Sequence, residues 1–142
     1  MNVAIEEARA AADAGEVPVG AVVLRDGIVL GKGRNTTEED DDPSGHAEIN
    51  ALRAAGQVDG DWRLEGTTLV VTLEPCTMCL GAIALARVER LIYGVSDPRL
   101  GACGSIFDLT SAGIAPHLNE VEGGILEPEC REMLQEFFRA LR

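Results

Sequence analysis

Between Thr67 and Val95 the chain reads strand, helix, strand, and that succession restricts the fold more than any other stretch. Thr67 to Leu73 is a continuous run of apolar and β-branched residues, the pattern of a strand buried on both faces. Pro75 stands where a first helical turn accepts proline, and Ile83, Leu85 and Ala86 extend the helix to about Arg87. Leu91 to Val95 follows as another strand. Strands joined through a helix pair in parallel with a right-handed crossover, so helices must cover the sheet.

The remaining segments make that sheet mixed. Residues 2 to 14 predict a helix, with Asn2 as cap, Ile5, Ala8, Ala11 and Ala12 at helical spacing, and Gly15 as stop. Val17 to Leu24 predicts a buried strand, and Asp26-Gly27 a tight turn returning through Ile28-Val29-Leu30 as its antiparallel partner. A polar loop from Arg34 to Gly45 carries unbroken acids from Glu38 to Asp42. His46 to about Ala55 predicts a second helix ended by Gly56. Residues 96 to 119, rich in Gly, Pro and Ser, predict a loop with one short helix near Ile106 to Leu109. Cys130, Leu134, Phe137, Phe138 and Leu141 define an amphipathic C-terminal helix packed on the core. The fold class is α/β: a central mixed sheet of about five strands between two helical layers, in one domain spanning residues 1–142.

Composition excludes several classes. At 46% hydrophobic residues, 142 residues suffice for one full core. No run reaches the eighteen apolar residues of a membrane span, and Glu6 and Glu7 stand where a secretory signal is basic and then apolar, so a cytoplasmic protein is expected. Cys76, Cys79, Cys103 and Cys130 are then expected as thiols or metal ligands rather than disulfides. The 24 acids and 12 bases give a net charge of −12, with Lys32 the only lysine. That field repels polyanions unless the bases gather on one face. It fits either adaptation to high salt or an ordinary acidic surface.

The chemistry-bearing residues cluster at two predicted helix heads. Cys76 and Cys79, at i and i+3, lie on one face about 5 to 6 Å apart, within reach of one tetrahedral ion. The helix N-terminus favours their thiolate form. His46 supplies a third ligand as neutral imidazole. Two cysteines and one histidine leave a fourth position open, which separates a catalytic zinc from a closed structural one. Glu48, two residues past His46, points away from it and is free to shuttle protons. C-x-x-C alone also marks structural zinc knuckles and redox pairs. The two motifs in this order, H-x-E and then P-C-x-x-C, are the pattern of zinc-dependent base deaminases. Cys103 and His117 lie in a loop without helical pairing to the site, and Cys130 faces the core.

Glu16 to Val22, His46-Ala47-Glu48-Ile49, Val71 to Ile83 and Gly101 to Ser105 resemble the bacterial tRNA-specific adenosine deaminases of the cytidine deaminase superfamily. The likeness extends to Phe137-Phe138-Arg139. It implies a three-layer α-β-α cytidine deaminase-like fold and a homodimer with one Zn²⁺ per subunit. It also implies conversion of adenosine to inosine at the wobble position of a tRNA anticodon loop. Zinc would be held by His46, Cys76 and Cys79, with Glu48 catalytic. Asn35, eleven residues before His46, would bond the flipped nucleoside, and Val17, Pro18 and Val19 would wall the base pocket. Ala47, Glu74, Pro75 and Asp97 complete the implied substrate site, and Ser96 to Arg99 would border the RNA. The family commonly carries basic residues before the last strand and a basic C-terminal tail, whereas here Leu118 to Glu122 is short and acidic and the sequence stops at Arg142.

Two other readings stand beside this one. In the first, the same chemistry acts on a free nucleobase or nucleoside such as guanine or cytosine, which the acidic charge favours. In the second, the chain is a catalytically silent, zinc-stabilised RNA-binding or dimerisation module. Glu48 argues against the second, since a structural site has no use for an unliganded carboxylate.

Overall fold

The computed structural model describes residues 1–142. Asp26 and Gly27 both take positive φ, 51° and 76°, as a type I′ hairpin turn requires. They return β1 (Gly20–Arg25) antiparallel into β2 (Ile28–Arg34), with one irregularity at Val23/Leu24. On its other edge β1 pairs antiparallel with β3 (Thr68–Leu73). β3 runs parallel to β4 (Arg90–Val95), and β4 parallel to β5 (Glu120–Glu122). The order is β2-β1-β3-β4-β5, the mixed sheet expected from the strand, helix, strand succession.

Period-two alternation sends each strand's side chains into two cores. Ala21, Val23, Leu69, Val71 and Leu91 face α2 (Ala47–Asp59) and α3 (Thr77–Leu85), meeting Ala51, Ala55, Leu80 and Ile83. Val22 and Val70 face the opposite way, against Ala4 of α1 (Asn2–Asp13). On that side Cys130 of α4 (Glu127–Ala140) packs with Ile5 and Val95. The result is a three-layer α-β-α sandwich, and no helix is long and apolar enough to cross a membrane.

One contact fixes where the first motif sits. β2 presents Gly31 and Gly33 to α2, which answers with the fully buried Ala47, Ala51 and Ala55. A Cβ at Gly33 would lie 2.4 Å from both Ala47 O and Ala51 N, and one at Gly31 2.4 Å from Ala55 N. Asn50 adds side-chain bonds from Nδ2 to Arg34 O (2.9 Å) and Thr36 Oγ1 (3.0 Å). Helix and strand therefore approach as closely as backbone permits, which sets the height of the α2 N-terminus over the sheet.

Several expected boundaries differ. Met1 rather than Asn2 is the N-cap of α1, and no side-chain bond caps that helix. Gly56 does not end α2, because the left-handed Gly60 (φ 75°) terminates it and donates to Gly56 O at 2.9 Å. β1 starts only at Gly20, leaving Val17 to Val19 as non-strand backbone. Cys76 is the N-cap of α3, so Pro75 precedes the helix rather than entering its first turn. Ile106 to Leu109 is not helical: Ile106 N (3.0 Å) and Phe107 N (3.1 Å) donate to Gly101 O, and Cys103 bridges Asp108. The apolar stripe of α4 is only partly core, since Cys130 alone is fully buried while Phe138 and Leu141 are exposed.

Candidate active site

His46 and Cys76 are the N-cap residues of α2 and α3, both with extended backbone (ψ 152° and 176°). Cys79 follows in the first turn of α3 and is completely buried. Because both helices start at the same end of the sheet, the three side chains converge. His46 Nδ1 lies 3.7 Å from Cys76 Sγ and 3.5 Å from Cys79 Sγ, and all three donor atoms fall within 4.8 Å of one another. Zinc bonds of about 2.3 Å to sulfur and about 2.05 Å to nitrogen, at a tetrahedral angle, separate such ligands by about 3.6 Å. The observed edges match that spacing, so the donor set fits zinc in both chemistry and size.

The protonation pattern supports the fit. A hydrogen bond from the Cys79 thiol, aided by His46, lowers Cys76 to about 4. Sharing with Cys76, reinforced by burial, raises Cys79. One proton thus serves two sulfurs, and a cation is the natural replacement for it. His46 is raised by its bond to Cys76.

Glu48 stands beside this cluster and outside it. It is 4% exposed, and desolvation pushes its carboxyl up to about 7, against the opposing pull of its own backbone N–H and of His46. A carboxyl poised near neutrality can both accept and return a proton.

These groups open into a cavity of about 710 Å³. Of the residues expected at the substrate site, Asn35, Val17, Val19, Ala47, Glu74 and Asp97 line it. Pro18 and Pro75 are buried but are not part of the lining. Asn35 is 8% exposed, receives the Thr37 hydroxyl on Oδ1 at 2.8 Å and donates from Nδ2 to Glu16 Oε2 at 3.4 Å. Glu16, itself 2% exposed, also accepts from Glu39 N at 2.8 Å and so anchors the acidic loop. The Glu74 carboxylate is occupied by donors from residues 97 to 105. Neither Cys103 nor His117 joins the donor cluster, and His117 is exposed.

Sequence reasoning missed the contribution of α4. Arg131, Gln135 and Phe138 line the cavity mouth, and their i, i+4, i+7 spacing was a readable signal once the helix's apolar face was not assigned wholly to the core. A second groove, also about 710 Å³, lies between α2 and α3 and contains none of the chemistry described above.

A mixed five-stranded sheet that delivers His-x-Glu and Pro-Cys-x-x-Cys to one pocket defines the base deaminase class. The family model of MafB19-like deaminases matches residues 1–142. The tRNA-specific adenosine deaminase of Bacillus subtilis (strain 168) is 44% identical over all of this chain and 88% of its own. Part of a tRNA(Ile)-lysidine synthase of Deinococcus deserti, 27% of that protein, is 50% identical over the whole chain. Among solved structures, one from studies of A-to-I editing by tRNA:A34 deaminases at the wobble position superposes with a TM-score of 0.90. It is 45% identical and covers 94% of this chain and 97% of its own. The chain matches the MafB19-like deaminase model over its whole length and belongs to the family of tRNA-specific adenosine deaminases.

Proposed function

We propose that this protein converts adenosine to inosine, with release of ammonia, at the wobble position of a tRNA anticodon. The observation that carries the reading is the convergence of His46, Cys76 and Cys79 beside the buried Glu48. His46, Cys76 and Cys79 would hold one zinc per subunit, which when bound acts as a Lewis acid that acidifies water near neutral pH. Glu48 takes the first proton of the attacking water at a carboxylate oxygen and gives it to the ring nitrogen, then takes the second from the new hydroxyl and gives it to the amino group, which leaves as ammonia. Asn35, fixed between Glu16 and Thr37, orients the purine, and Val17 and Val19 supply the apolar wall. The base must leave its stack to enter, at a cost lowest for a single-stranded loop.

The net charge of −12 is compatible with an RNA substrate because of where the bases lie. Of the 12 Lys and Arg residues, seven pair with carboxylates: Arg25, Lys32, Arg34, Arg63, Arg87, Arg90 and Arg131. Among the five others, Arg99 lines the cavity, while Arg139 lies in the last turn of α4 and Arg142 just beyond it, next in sequence to the lining residues Phe138 and Leu141. These three arginines are the cations assigned to a passing phosphate backbone. The groove between α2 and α3, with Leu85 76% and Trp62 57% exposed, is the face that suits a homodimer. The setting is the cytoplasm.

The test compares wild type with Glu48→Gln on an anticodon stem-loop carrying a wobble adenosine and on free adenine, guanine and cytosine, at low and high salt. Wild type is expected to release ammonia from the stem-loop. The variant should keep zinc and lose about 10²- to 10⁴-fold in rate. Ammonia from a free base alone would replace this reading with nucleobase deamination.

A further inference from the structure

We propose that Glu74 is a positioning residue: its buried carboxylate ties the pocket wall at residues 96–100 to the strand end that launches the Cys76–Cys79 helix. The functional consequence rests on the deaminase reading, whereas the geometry stands without it.

Glu74 lies between β3 and α3 and is 2% exposed. Its Oε2 accepts from Asp97 N at 2.9 Å and from the Ser105 hydroxyl. Its Oε1 accepts from Cys103 N at 2.9 Å and Ser105 N at 3.2 Å. An ionised carboxylate offers about four acceptor sites, so these donors occupy its capacity and none remains for substrate. The implied role of Glu74 as a substrate contact therefore gives way to one that acts through the loop.

A buried carboxylate is tolerable only where donors converge on it. Here they come from a single loop, which must curl around the carboxylate to supply them. Main-chain bonds close the same joint: Glu74 N donates to Val95 O at 2.9 Å, Ala102 N to Pro75 O at 2.9 Å, and Cys76 bridges Gly101. Gly101 passes so close that a Cβ there would lie 2.5 Å from Glu74 Cδ and Oε2. The curled loop leaves Asp97, Pro98, Arg99 and Leu100 on the cavity lining. Its wall is thus keyed to the residue two positions before the first cysteine. The donor cluster itself is held by α2 and α3, so loosening this joint moves the wall more than the metal ligands.

Glu74→Gln keeps the shape but removes the charge and turns an N–H₂ toward N–H donors. Amide hydrogen exchange across residues 96–106, zinc content and steady-state kinetics on the wobble-adenosine stem-loop are measured together. The amides of Asp97, Cys103 and Ser105 are expected to exchange about tenfold faster or more, the factor for one charged bond. Zinc should stay at one per chain, and KM should rise about tenfold more than kcat falls. Ser105→Ala, which removes only the hydroxyl, should shift exchange in the same direction by less, and it carries the test if Glu74→Gln does not fold. Unchanged protection of the loop overturns the proposal, as does parallel loss of zinc and kcat with KM unmoved. A wild type inactive on the stem-loop sinks the tRNA reading while the exchange result still decides the role of Glu74.

Discussion

Gly33→Ala tests whether the close approach of β2 and α2 sets the geometry of the site. The added Cβ would sit 2.4 Å from Ala47 O and Ala51 N, where ordinary contact begins at 3.4 Å, so the N-terminal half of α2 must retreat by about 1 Å. His46 and Glu48 ride on that end of the helix. Metal–ligand distances tolerate only about 0.2 Å, and a 1 Å misplacement at a reacting centre costs about 10²-fold in rate. Overpacking of this kind destabilises by about 1 to 3 kcal/mol. Gly31→Ala is the control: its Cβ meets Ala55 N at the same 2.4 Å, but about 13 Å along the helix from His46 at 1.5 Å per residue. Urea unfolding, zinc content by mass spectrometry and ammonia release from the stem-loop are compared for both. Similar stability losses are expected, with weakened zinc and the roughly hundredfold rate loss confined to Gly33→Ala. If that variant matches Gly31→Ala in zinc and turnover, the reasoning from backbone approach to site geometry is refuted.

Two further outcomes follow from charge. In metal-free protein Cys76, held near 4 by the Cys79 thiol and His46, is thiolate at pH 7, whereas burial pushes Cys103 up to about 12 and Cys130 up to about 11. Iodoacetamide should therefore label Cys76 first at pH 7, with Cys103 and Cys130 reacting only above about pH 10 and zinc protecting Cys76; equal labelling of Cys103 at pH 7 would contradict the assignment. Binding of the stem-loop should weaken with salt at a log–log slope near −2, about −0.7 for each of roughly three phosphate contacts, and Arg142→Ala should flatten it by about 0.7. An unchanged slope would remove α4 from the interface.

The architecture was legible where one local signal sufficed. The apolar run of Thr67 to Leu73 and the helical spacing behind Pro75 report burial through period alone. The grouping of His46, Cys76 and Cys79 was legible because few side chains ligate metals and the order of the two motifs is informative. Glu74 was not, because its partners lie 23 to 31 residues away and three of its four donors are the backbone N–H groups of Asp97, Cys103 and Ser105, which carry no residue-type signal. Glu16 escaped for a similar reason, since its bond to Glu39 N depends on where a loop folds. The α4 stripe was misread as core because apolar periodicity does not distinguish a face against the sheet from one at a pocket rim.

The three side chains that could hold a metal ion come from two supersecondary units. His46 belongs to the hairpin of β1 and β2 with its helix, and the cysteines belong to the β3-α3-β4 crossover; the units meet along the antiparallel pairing of β1 with β3. Neither unit holds more than two of the three donors. Metal capture therefore reports on the docking of two halves during folding. A chain whose β1–β3 register has slipped retains both motifs and most of its secondary structure, yet has no place for the ion. Zinc uptake followed in time during refolding would mark the moment at which that seam closes.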